Sequence, residues 1–77
     1  MESLKEKPLR ARRVDKMTRE EALKVKEFRV AGKTWRSIAS LCFKEFPEME
    51  IVPGNQLYGL ELCREAGDIL GEDNYEW

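Results

Sequence analysis

From Thr34 to Pro47 the chain reads Thr-Trp-Arg-Ser-Ile-Ala-Ser-Leu-Cys-Phe-Lys-Glu-Phe-Pro. Its apolar residues Trp35, Ile38, Ala39, Cys42, Phe43 and Phe46 are separated by steps of three, one, three, one and three. Such a stripe follows one face of an α-helix and is broad enough to face a core. Thr34 precedes it, and its hydroxyl can accept from an N–H of the first turn. Pro47 ends it, because proline has no N–H to donate and its ring clashes with the preceding turn. Burial of the three aromatics and Ile38 contributes roughly 1.5–3 kcal/mol each. No other segment offers as much, so this one is expected to be the central helix of an all-α domain.

The flanking patterns are weaker. Thr18-Arg-Glu-Glu21 is a capping box, and Glu20 and Glu21 suit the positive end of a helix dipole. Ala22, Val25 and Phe28 follow at helical spacing, with Leu23 and Val30 at the margin. Gly32 supplies a left-handed stop, and Lys33-Thr34 leads straight into the central stripe. After Pro47, the residues Met49, Ile51 and Val52 are expected to lie extended against the core, and Pro53-Gly54 to turn the chain. A third helix is predicted from Asn55, its cap, to Leu70, with Gly71 as its stop. Tyr58, Leu62, Ala66, Ile69 and Leu70 face inward, and Leu57 and Leu60 lie on a flank. Gly59, Cys63 and Gly67 fall four apart. Each glycine lowers helix stability by up to about 1 kcal/mol, so the small-residue ridge predicts a tight crossing, under Trp35 or Phe43. A self-association face is the alternative.

The 77 residues make one domain: a basic arm at 1–16, a three-helix body at 17–71 and an acidic, aromatic tail at 72–77. A body this small buries only about 60% of its unfolded surface. No apolar run approaches the length of a membrane span, and no signal-peptide block follows the first charges. The two cysteines, Cys42 and Cys63, sit in apolar stripes and read as reduced small hydrophobes. Together these features predict a cytoplasmic protein without membrane partner, metal or cofactor.

Charge changes the picture. The net charge of −1 conceals a strong asymmetry. Residues 1–16 carry six basic groups against three acidic, residues 17–47 seven against four, and residues 48–77 one against eight. Such halves suit a basic surface for a polyanion and an acidic one for something else. In the arm, Arg10, Arg12 and Arg13 are the candidate phosphate or minor-groove contacts, with a plain solubilising tail as the alternative.

Little points to catalysis. The chain has no histidine, which removes imidazole acid–base chemistry and the common triads. No glycine-rich phosphate cradle is present. Glu61, Glu65 and Asp68 are spaced as a solvated helix face rather than as a catalytic pair. A body of this size leaves little room for a concave pocket. The expectation is a non-enzyme that works by recognition.

One stretch carries a family resemblance. Ala31-Gly-Lys-Thr-Trp-Arg-Ser-Ile-Ala39, after an acid-capped helix, resembles the first corner of homeodomain-like helix-turn-helix domains, over residues 18–40. The resemblance implies a small three-helix bundle of helix-turn-helix type that binds double-stranded DNA, as a prokaryotic or phage regulator of transcription would. The chain departs from the family in its longer second helix, in the eight residues before Asn55, and in the acidic character of the third helix. On this reading Lys33 and Arg36 anchor phosphate beside the dipole of the central helix, and Lys44 adds a contact. Asn55 and Gln56 offer amides able to pair with adenine, unless Asn55 caps the helix and Gln56 is merely exposed. The competing expectation is a protein-interaction module, an adaptor or an inhibitor of a host protein. It would use Glu61, Glu65, Tyr75 and Trp77. A monomer or weak homodimer fits either.

Overall fold

Three helices follow one another: α1 (Arg19–Val30), α2 (Trp35–Glu45) and α3 (Gln56–Leu70). Short 3-10 turns at Val14–Lys16 and Asn74–Glu76 flank them. The structure is a computed structural model and describes residues 12–77; residues 1–11 and the side chain of Tyr75 lie outside the described residues. Among the described residues the protein is an all-α three-helix bundle without a strand.

Each helix begins where its cap is written. The Thr18 hydroxyl accepts from the Glu21 N–H at 3.1 Å, and the Glu21 carboxylate accepts from the Thr18 N–H at 2.9 Å. Both halves of the capping box are therefore made, satisfying two donors that a helix start leaves unpaired. The Thr34 hydroxyl accepts from the Ser37 N–H at 3.1 Å. Asn55 Oδ1 accepts from the N–H groups of Leu57 and Tyr58 at 2.9 and 3.2 Å. Gly71 ends α3 with φ +70°, a left-handed conformation natural to glycine.

The core is shared among all three helices. Ala22, Val25, Ile38, Ala39, Cys42, Leu62, Cys63 and Ala66 are buried, with Phe28, Trp35, Phe43 and Tyr58 half-buried against them. Met49 and Ile51 close the core from the segment between α2 and α3, as the sequence suggested. One expectation fails: Val52 (46% exposed) stays in solvent, and Leu23 (45%) and Val30 (60%), at the margin of the α1 stripe, are exposed as well.

The sequence put α2 at the centre, but the structure puts α3 there. Both α1 and α2 pack extensively on α3 and touch each other only sparingly. The cause is the small-residue ridge. Gly59 and Cys63 are buried, and a methyl group built on Gly59 would lie 1.9 Å from the Trp35 carbonyl oxygen. The N-terminal ends of α2 and α3 thus meet backbone to backbone. The crossing under Trp35 is as expected. Gly67 serves another purpose: a methyl group there would meet the Glu72 carbonyl oxygen at 2.8 Å, where the chain folds back after α3.

Residues 12–16, expected as part of the basic arm, pack on the bundle. Val14 and Met17 are buried, and a parallel bridge pairs Arg12 with Met49. The Arg12 N–H donates to the Glu48 carbonyl at 2.9 Å, and the Glu50 N–H donates to the Arg12 carbonyl at 2.8 Å. The Arg12 side chain pairs with Glu21, the same carboxylate that closes the α1 cap. Residues 12–16 therefore belong to the body. Val14 and Met17 contribute to the core across the chain rather than along a helical stripe.

The tail also folds back. Lys26 of α1 lies 2.7 Å from the Glu72 carboxylate, the Trp77 indole N–H donates to that carboxylate at 3.1 Å, and Lys26 Nζ is 5.9 Å from the Trp77 ring centroid. The hydrogen bond from Lys26 holds the Glu72 carboxyl below its ordinary range.

Candidate nucleic-acid interface

The helix α2 starts beside the first turn of α3 because Gly59 admits the Trp35 backbone. A third element reaches the same place. Arg29, in the last turn of α1, lies over the Trp35 ring at 5.1 Å and donates to the Lys33 carbonyl at 2.9 Å. The cation–π contact and the hydrogen bond hold this guanidinium at the corner.

Two open clefts adjoin there. One, of about 320 Å³, lies among Arg29, Thr34, Trp35, Arg36 and Gln56. The other, of about 470 Å³, is lined chiefly by Lys33, Arg36, Ser37, Ser40 and Gly54. Arg36 borders both, and among the described residues no carboxylate lines either. The start of α2 adds the positive end of its dipole. Cations, hydroxyls and an exposed amide side chain thus share one end of the bundle.

A third cleft, of about 440 Å³, has the opposite character. Val14, Leu57 and Tyr58 give it an apolar wall, and Asp15, Glu50, Glu61 and Glu65 surround it with carboxylates. Arg13 is its single basic residue. Burial, then the charges of Asp68, Asp15 and Glu61, push the Glu65 carboxyl above its ordinary value. These clefts therefore differ in charge, although the acidic one takes Arg13 and Asp15 from the basic N-terminal stretch.

The expected nucleic-acid residues separate accordingly. Lys33, Arg36 and Gln56 come together. Arg10 lies outside the described residues. Arg12 is not a free phosphate contact, because Glu21 holds its guanidinium. Arg13 is exposed but borders the acidic cleft, 3.7 Å from Asp15. Lys44 is exposed in the last turn of α2, two turns from Arg36, or on the order of 12 Å along the axis. Asn55 is a cap: its oxygen already accepts two backbone N–H groups and is not free to pair with adenine. Arg29 was missed, since nothing in the α1 pattern indicates that it leans across the corner onto Trp35.

On the acidic side, Glu61 and Glu65 share the cleft with Asp15 and Glu50, which the sequence did not connect to them. Trp77 does not join them. It is half-buried and held by Glu72 and Lys26. The side chain of Tyr75 lies outside the described residues.

Cys42 and Cys63 are buried free thiols. Burial pushes the first up to about 12 and the second to about 11, so both stay protonated at neutral pH. Among the described residues, no group of three or more Cys, Asp or Glu side chains is placed to hold a metal ion. No helix among them is long and apolar enough to cross a membrane. Comparison with protein-family models, with curated proteins and with solved structures finds no match for the chain.

Proposed function

We propose that this protein is a small helix-turn-helix DNA-binding protein that docks on duplex DNA with the end of the bundle where α2 and α3 begin. The observation that carries this reading is the pair of adjoining clefts bearing Arg29, Lys33, Arg36 and Gln56, with no carboxylate lining them among the described residues. Phosphate is their natural ligand, because cations and a helix start both favour it. Lys33 and Arg36 anchor the backbone. Gln56, exposed in the first turn of α3, is the side chain left to meet a base edge. The acids of α3 lie further along that helix, away from the end that approaches DNA. Regulation of transcription is the use this implies, and the domain carries no chemistry of its own.

The test is a titration of duplex DNA at several salt concentrations. Each phosphate contact contributes a slope of about −0.9 in log K against log salt. The Lys33→Gln, Arg36→Gln double variant is expected to lower the slope by about two. Binding without salt dependence, or an unchanged slope in the variant, contradicts the proposal.

The competing reading, a protein-interaction module, is favoured by a different observation: the carboxylate-rimmed cleft beside Leu57.

A further inference from the structure

We infer that the cleft between residues 13–15 and the N-terminal half of α3 docks a short basic segment of a partner protein, one that carries an apolar side chain between its cations.

The apolar wall comes first. Leu57 is 72% exposed, more than any other large apolar residue described as exposed. It stands in the first turn of α3, where a polar residue serves folding equally well. Half-buried Tyr58 and the edge of Val14 continue the apolar surface beside it. The volume, about 440 Å³, is within the range of about 300–1,000 Å³ in which side chains and small ligands are held.

Charge complementarity decides the occupant. Asp15, Glu50, Glu61 and Glu65 gather from three separate parts of the chain. Their counter-charges are weak. Arg13 is 3.7 Å from Asp15 with its side chain 74% exposed, and Arg64 is 3.9 Å from Glu61 with its side chain 64% exposed. Ion pairs this exposed contribute little. The four carboxylates thus share one cleft with little neutralising charge, and burial, then the charges of Asp68, Asp15 and Glu61, raises the Glu65 carboxyl. A cation entering the cleft supplies the missing counter-charge. Lysine or arginine meets the carboxylates, and a neighbouring leucine-like side chain covers Leu57. A segment with only cations leaves Leu57 wet, and one with only apolar groups leaves the carboxylates opposed.

This surface stands apart from the proposed DNA face, since no described residue lines both. The same molecule can then hold DNA at one end and a basic protein segment at its side. The inference does not depend on the DNA reading.

The test uses the full chain, isotope-labelled, and the synthetic peptide acetyl-Lys-Leu-Leu-Lys-Lys-amide. The expected result is saturable amide shifts centred on Asp15, Leu57, Tyr58, Glu61 and Glu65. Leu57→Ser, and separately the Glu61→Gln, Glu65→Gln pair, are expected to weaken binding about fivefold or more. Leu57 and Glu61 are exposed and Glu65 is half-buried, and a thermal melt of each variant checks that it folds. Peptides with glutamate for lysine, or serine for leucine, should not bind. The Lys33→Gln, Arg36→Gln variant should bind the peptide unchanged, which separates this result from any outcome with DNA. Equal affinity in the cleft variants overturns the inference, as does loss of binding in the Lys33, Arg36 variant. Shifts in the cleft that follow protein concentration without peptide make a second copy the occupant, and overturn it too.

Discussion

The carbonyl oxygen of Trp35 occupies the space where a side chain at Gly59 would begin, 1.9 Å from an ideal methyl position. This contact sets the distance between α2 and α3. It also brings Arg36 and Gln56 to the same cleft. Fold and candidate interface therefore share one cause, a glycine in the second turn of α3.

Replacing that glycine opposes two effects. Alanine raises helix propensity by about 1 kcal/mol. The clash is with backbone rather than with a flexible side chain, so α2 must move, at a cost of typically 1–3 kcal/mol or more. Because a 1.9 Å approach to backbone demands the upper part of that range, Gly59→Ala is expected to be destabilised on balance, by ~1–2 kcal/mol in urea unfolding. A stabilised variant would mean that the helices are not in backbone contact.

Asn55 and Gln56 are neighbours with separable roles. Asn55→Ala should lower stability by about 1 kcal/mol, the usual cost of a lost cap. Gln56→Ala should leave stability within about 0.5 kcal/mol, as for an exposed side chain away from special features, and change only discrimination among duplex sequences. Denaturant melts and competition binding on the two variants check both halves.

Arg12 fastens the segment before α1 to the Glu21 carboxylate, which also closes the cap. Arg12→Ala is expected to cost roughly 1–3 kcal/mol, since the pair is largely shielded from solvent. Hydrogen exchange should quicken at the Arg12 and Glu50 amides, whose hydrogen bonds tie that segment to the loop after α2. Glu21→Gln should lose less than the sum of separate effects, because an amide can still cap. A double-mutant cycle measures the coupling.

Glu65 gives a pH dependence of known sign. Its carboxyl is raised above the ordinary 4.5 in the folded chain, so the fold binds its proton more tightly than the unfolded chain does. The charged form therefore weakens the fold at neutral pH, and the weakening disappears as pH falls below the unfolded value. Glu65→Gln is expected to melt higher than the parent at pH 7 and at the same temperature near pH 3.5. A constant difference across that range would locate the effect in packing rather than in charge.

Much of this architecture was legible in the residues. The caps Thr18, Thr34 and Asn55 and the stops Gly32 and Gly71 are local chemistry, and local chemistry is written at fixed offsets. The stripes of α2 and α3 gave most of the core for the same reason. The relation between helices was less accessible. The largest apolar stripe suggested that α2 is central, whereas close approach to a glycine ridge made α3 the helix on which both others rest. Val14, Met17 and Arg12 escaped because their partners lie far along the chain. The candidate interface divided in the same way. Lys33 and Arg36 were visible from their place at a helix start, and Asn55 was visible in both of its roles but fills only one. Arg29, Asp15 and Glu50 enter their clefts through tertiary packing, which no spacing rule encodes.

The central claim of the proposal is that the basic clefts where α2 and α3 begin are separate from the carboxylate-rimmed cleft, and that DNA meets only the former. Amide chemical-shift mapping of the full chain with a generic duplex at low salt tests it most directly. The account predicts shifts concentrated at Arg29, Lys33, Arg36 and Gln56, shrinking as salt rises, with Glu61 and Glu65 unmoved. Shifts centred on the acidic cleft, or none at any salt concentration, would contradict it.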